Sequence, residues 1–169
     1  GPVDNDGDGF LACVDDCNDN NANAFPGAAE NEQNAALCML DSDQDGYGNA
    51  SARDCVKVHM EDLWGDGWNG NQFDFEVNGA VVYTAELTGG YGAYEYICWE
   101  GLADIVLNKS TNLSEVRMTL SIQKQDIITL YGSSMRQTMD GAVVYSLDLS
   151  EYRPVYPGTD ADDWDSSIH

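Results

Sequence analysis

The chain is poor in positive charge: 7 Lys and Arg face 30 Asp and Glu, for a formal net charge of -23. Such a surface repels nucleic acid and anionic lipid, so neither is expected as a partner. Histidine is scarce, with only His59 and His169, and no HExxH, GxSxG or P-loop string occurs. The expectation is a protein without catalytic activity; acidic pairs such as Asp162-Asp163 arise by chance in so acidic a chain. No run approaches 18 apolar residues, so membrane insertion is not expected. No stretch of helix length repeats its apolar residues with a 3.6-residue period. No signal peptide opens the sequence; the leading Gly1-Pro2 reads as a protease scar, a native signal having been cut away.

Acidity alone can mean disorder, but 43% of the 169 residues are hydrophobic and 10% aromatic, enough for a folded core. The alternative is a folded protein whose charge is neutralised by cations, and the fixed spacing of the Asp residues favours it. Residues 3–54 contain 12 acids, from Asp4 to Asp54, against the single base Arg53. This segment has few apolar residues and needs metal or disulfides to hold a shape. The five cysteines, Cys13, Cys17, Cys38, Cys55 and Cys98, form no CxxC pairs with matching histidines, which argues against a zinc ribbon and for disulfides in an oxidising compartment. Cys55 with Cys98 and Cys17 with Cys38 are the expected pairs, leaving Cys13 over.

Two loops carry the metal signal. The first reads Asp4-Asn5-Asp6-Gly7-Asp8-Gly9-Phe10 and the second Asp41-Ser42-Asp43-Gln44-Asp45-Gly46-Tyr47. Each places carboxylates at relative positions 1, 3 and 5, glycine at 6 and an aromatic at 7. Calcium takes six to eight hard oxygen ligands at ~2.3–2.6 Å, and alternate residues of a curled loop can turn three carboxylates inward. The backbone carbonyls of Phe10 and Tyr47 are expected to add a ligand each. Both loops close on an Asp-Cys pair, Asp16-Cys17 and Asp54-Cys55. Relative position 12 holds Asp15 and Ala52 rather than the Glu of an EF-hand, and flanking helices are not expected. Copper is a poor fit, because no His lies within residues 1–55.

Residues 4–30, with DGDGF, the Cys13 and Cys17 pair, Asp-Cys-Asn-Asp and Phe25-Pro-Gly-Ala, resemble the MopE-type metal-binding repeat of bacterial secreted proteins and thrombospondin type 3 repeats. That resemblance implies one calcium unit built from Asp4, Asp6, Asp8, Asp16 and Asp19, and a second from Asp41, Asp43, Asp45 and Asp54. Asn18 and Asn20 stand where the repeat usually has Asp.

From Val56 the pattern changes to period two: Val56, Val58, Met60; Phe73, Phe75, Val77; Val116, Met118, Leu120, Ile122. Further β-rich runs are Ala80–Leu87, Tyr94–Trp99, Asp104–Leu107, Asp126–Tyr131 and Ala142–Leu149, with hairpin signals at Asn78-Gly79 and Asp140-Gly141. The pair Asn78-Gly-Ala-Val-Val-Tyr83 and Asp140-Gly-Ala-Val-Val-Tyr145 reads as two similar hairpins of one domain. The expected fold is mainly β: an antiparallel β-sandwich over residues 55–156, preceded by the calcium region 3–54 and followed by an acidic tail, 157–169.

After the first strand comes Asp62-Leu-Trp64-Gly-Asp66-Gly-Trp68-Asn69-Gly70-Asn71. Residues 55–131 look like the GDGWNG-type β-sandwich module of secreted bacterial and protist proteins, a resemblance that implies a fold more than a function. Asp62, Asp66, Asn69 and Asn71, with Asp74 nearby, either form a third calcium site or make a turn in which Asp side chains bond backbone amides. Trp64 and Trp68 serve either as core caps or as an aromatic platform for a ligand such as a glycan. Two function classes follow: a calcium-rigidified spacer or adhesion module of a larger secreted or surface protein, with calcium ions and a cell-surface protein as partners, or a calcium-dependent carbohydrate-binding module using the tryptophans with Tyr91, Tyr94 and Tyr96.

Overall fold

The computed structural model describes residues 2–12, 14–52 and 55–163. Its chain forms two units: residues 1–55 together with 152–169, and residues 56–151. The boundary at Cys55 falls where the composition shifts. Residues 152–163, which follow the sandwich, group with the first unit.

The second unit is an antiparallel β-sandwich. Strand β3 (Val56–Asp62) pairs with β6 (Gly92–Ile97) and β8 (Val116–Ile122), and β8 with β9 (Gln125–Tyr131). The other sheet runs β10 (Val143–Asp148), β7 (Leu102–Asn108), β4 (Gln72–Val77), β5 (Ala80–Ala85). The period-two pattern of the sequence is the cause. Along β3, Val56, Val58 and Met60 are buried while Lys57, His59 and Glu61 face outward, and Val116, Met118 and Leu120 do the same on β8. Phe73 and Phe75 of β4 meet Ile105 and Leu107 of β7 in the strand register and are fully buried with them. All eight β-rich runs of the sequence become strands.

The turns divide differently. Asn78 and Gly79, at φ 52° and 79°, form the two-residue turn between β4 and β5. Asp140-Gly141 makes no hairpin: β10 pairs with β7, and Asp140 instead accepts the Lys109 amide while Gly141 donates to Leu107. The β8–β9 hairpin turns on Gln123-Lys124, at φ 50° and 66°, where no glycine marks it. The two Gly-Ala-Val-Val-Tyr copies therefore lead into β5 and β10, the opposite edges of one sheet.

The first unit holds one small ladder, β1 (Ala24–Pro26) with β2 (Cys38–Leu40). One apolar cluster in it joins Cys17, Cys38 and Val155, with Leu40 and Ala52 against it. Cys17 and Cys38 are disulfide-bonded, as expected. Cys55 and Cys98 are disulfide-bonded too; they are the next residues beyond the Val56–Ile97 register pair of β3 and β6. Disulfides of this kind point to an oxidising compartment. Cys13 lies outside the described residues. Among those described, no helix is long and apolar enough to cross a membrane.

Candidate metal centres

In both Asp-rich loops the side chains divide their oxygens between two tasks. Asp4 accepts the amides of Gly7 and Gly9 at 2.6 and 3.1 Å, Asp6 that of Asp8 at 3.2 Å, and Asp8 that of Phe10 at 2.8 Å. Asp41 accepts the amides of Asp45 and Gly46 at 3.2 and 2.9 Å, Asp43 that of Asp45 at 3.2 Å, and Asp45 that of Tyr47 at 2.9 Å. These bonds curl each loop. Relative positions 4 and 6 are left-handed in both, as Gly7 and Gly9 (φ 80° and 95°) and as Gln44 and Gly46 (φ 60° and 88°). At Gly46 a side chain would also strike Asn31. The ring of Phe10 stacks on Phe25 at 5.1 Å and ties the first loop to β1.

The curl brings the carboxylates together. Asp4, Asp6 and Asp8 each place an oxygen within 4.8 Å of the others, as do Asp41, Asp43 and Asp45. Two oxygens on one calcium can be no more than ~5 Å apart, since each sits at ~2.3–2.6 Å. Asp6 also belongs to a group with Asp16 and Asp19, and Asp43 to one with Asp160 and Asp163. Asp19 additionally binds the backbone and side-chain amides of Asn5. Asp54 lies outside the described residues.

The oxygens not used for shaping are left over. Oδ2 of Asp6, Asp8, Asp16 and Asp43 is buried with no hydrogen-bond partner. An unpaired buried carboxylate oxygen is costly, and a hard cation is the partner that satisfies several at once. Burial first, then the neighbouring carboxylates, pushes the carboxyl groups of Asp8 and Asp16 above their usual range, and burial does the same at Asp41 and Asp43. The residues thus fit an oxygen-liganded cation. Phe10 and Tyr47 close these curls, their amides held by Asp8 and Asp45.

The GDGWNG loop separates into framework and carboxylates. Trp68 is fully buried, edge-on to Phe73 at 5.6 Å, with its indole N–H donated to the Glu61 carbonyl. It is therefore core and takes no part in a binding platform, whereas Trp64 is 74% exposed. Gly67, at φ 89°, lies so close to the backbone of Leu87–Gly89 that a Cβ would sit 2.7 Å from it. Asn71 is wholly buried: its Nδ2 donates to the carbonyls of Trp68 and Thr111, and its Oδ1 accepts the Ser110 amide. Those bonds make Asn71 a pin for the loop rather than a ligand. Asp74 is likewise engaged, by Thr84 and Asn108 on the sheet.

What remains is Asp62 and Asp66, joined by a residue that local spacing did not reveal. Glu115, in the short 3-10 turn Leu113–Glu115 before β8, places an oxygen within 4.8 Å of both. Asp62 accepts the amides of Asp66 and Gly67 at 2.9 Å through Oδ2, and its Oδ1 is buried without a partner. Asn69 donates to Glu115 at 2.5 Å, which brings it to the rim of the group. Burial, then Asp62 and Asp66, pushes the Glu115 carboxyl upward. A pocket of about 170 Å³ opens beside Asp62 and Glu115, with Arg117 and Tyr131 in its wall.

Comparison of the chain with protein-family models, with curated proteins and with solved structures gives no match.

Proposed function

We propose that this chain is an extracellular calcium-binding module, acting as a calcium-rigidified spacer or adhesion domain of a larger secreted or surface protein. The observation that carries the reading is the convergence of three carboxylates in each of two loops, with buried oxygens left unpaired among them. Oxygen-only ligand sets favour calcium over soft metals. A unit whose ladder is two three-residue strands gains rigidity from bound cations and the Cys17–Cys38 bond. The disulfides and the resemblance to MopE-type and thrombospondin type 3 repeats agree with a secreted setting.

Isothermal titration with calcium tests this. The expected result is binding by both loops, reduced at the first by Asp6→Asn and at the second by Asp43→Asn. A chain that takes up no calcium at millimolar concentration overturns it.

One observation favours carbohydrate binding as a second reading. Asp66 is exposed, and so are Trp64, two residues before it in the same loop, and Tyr91, whose ring lies over Gly65. A cation there would keep an open side where sugar hydroxyls could complete its shell, with aromatic faces alongside. A glycan array in calcium and in chelator, with wild type and Trp64→Ala, separates the readings. Calcium-dependent binding lost in the variant supports a lectin; a flat array leaves the spacer.

A further inference from the structure

The segment after the sandwich supplies two carboxylates that the loops do not contain. Residues 156–160 run beside the second loop through backbone bonds: Tyr156 donates to Cys38, Gly158 to Asn49, Asp160 to Gly48, and Ala50 to Asp160. Gly158 passes so close to Gly48 that a Cβ would lie 2.4 Å from its backbone. Glu32 clasps the same segment, accepting the Thr159 amide and hydroxyl at 2.6 and 2.7 Å and the Gly48 amide at 3.0 Å. This course delivers Asp160 and Asp163 to the second loop, where each has an oxygen within 4.8 Å of the other and of Asp43.

The two side chains are 1% and 3% exposed. Asp160 Oδ1 accepts the Asp162 amide at 2.9 Å and Asp163 Oδ1 the Ser42 amide at 2.8 Å. The second oxygen of each, and that of Asp43, is buried with no partner. Three carboxylates brought together without a cation would repel one another. No Lys, Arg or His is ion-paired with them among the described residues.

We propose that Asp43, Asp160 and Asp163 hold a divalent cation of the calcium class, distinct from the one held by Asp41, Asp43 and Asp45, and that Asp43 is shared between the two. The site fastens the segment 156–163 to the second Asp-rich loop. The chain before the sandwich and the chain after it are thereby locked together by metal as well as by backbone bonds. The inference rests on the calcium reading of the loops.

The test compares the full chain with a double variant, Asp160→Asn with Asp163→Asn. Asparagine keeps an Oδ1 acceptor for the Asp162 and Ser42 amides, while its NH2 replaces the second oxygen and cannot ligate a cation. Bound calcium is counted by equilibrium dialysis with elemental analysis, and hydrogen exchange is followed by mass spectrometry in calcium and in chelator. The expected result is one calcium fewer per chain and loss of calcium-dependent protection at 156–163, with calcium-dependent protection of 4–10 retained. Far-UV circular dichroism and an intact Cys17–Cys38 bond verify folding, and the single variant Asp163→Asn is the milder substitute if the double variant misfolds. Unchanged stoichiometry with unchanged protection at 156–163 overturns this inference alone. A wild-type chain that binds no calcium overturns the loop reading and this one with it.

Discussion

Removing calcium should loosen the two Asp-rich loops and leave the sandwich strands unaffected. The amides at stake are those that shape the loops: Gly7, Gly9 and Phe10 in the first, and Asp45, Gly46 and Tyr47 in the second, each donated to a carboxylate of its own loop. With calcium at about 100 times the dissociation constant, a site whose opening releases one ion gains about 2.7 kcal/mol, which is about a 100-fold change in the opening equilibrium. Hydrogen exchange by mass spectrometry reads this directly. Peptides covering 4–10 and 41–47 should exchange about 100-fold faster in chelator, while those of β3 and β8, centred on Val58 and Leu120, keep their rates. Equal protection of 41–47 in calcium and in chelator would refute the reasoning, because the carboxylates would then be held together by something other than a cation.

Three substitutions probe the framework. Trp68→Ala removes a fully buried ring and its bond to Glu61, and should cost about 3–5 kcal/mol in urea unfolding. Asn71→Ala leaves the carbonyls of Trp68 and Thr111 and the Ser110 amide without their partner. It should cost about 1–3 kcal/mol per group left unpaired, with the calcium stoichiometry by titration unchanged. A lost calcium would restore Asn71 to the ligand list. Gly46→Ala forces a side chain into a left-handed position against Asn31 and should destabilise the second loop by about 1–2 kcal/mol, seen as weaker calcium binding there with the first loop unaffected.

The parts of this protein that the sequence determined by itself are those whose partners are near in the chain. The Asp loops are legible because their shaping bonds span two to five residues, so spacing alone predicts the curl. The strands are legible because one buried face imposes alternation, as in Val56–Asp62 and Val116–Ile122. Turn chemistry was readable at Asn78-Gly79 but not at Gln123-Lys124, where strand pairing rather than glycine imposes the left-handed backbone. Two tryptophans four residues apart look alike in sequence, yet Trp68 is core, edge-on to Phe73 with its indole N–H on Glu61, and Trp64 is exposed. Glu115 stands 46 residues beyond Asn69, and Asp163 lies 121 beyond Ser42. No spacing rule reaches so far. Only the tertiary structure brings these carboxylates to the loops, because backbone pairing and core packing carry them there, and a ligand set assembled that way leaves no local pattern in the chain.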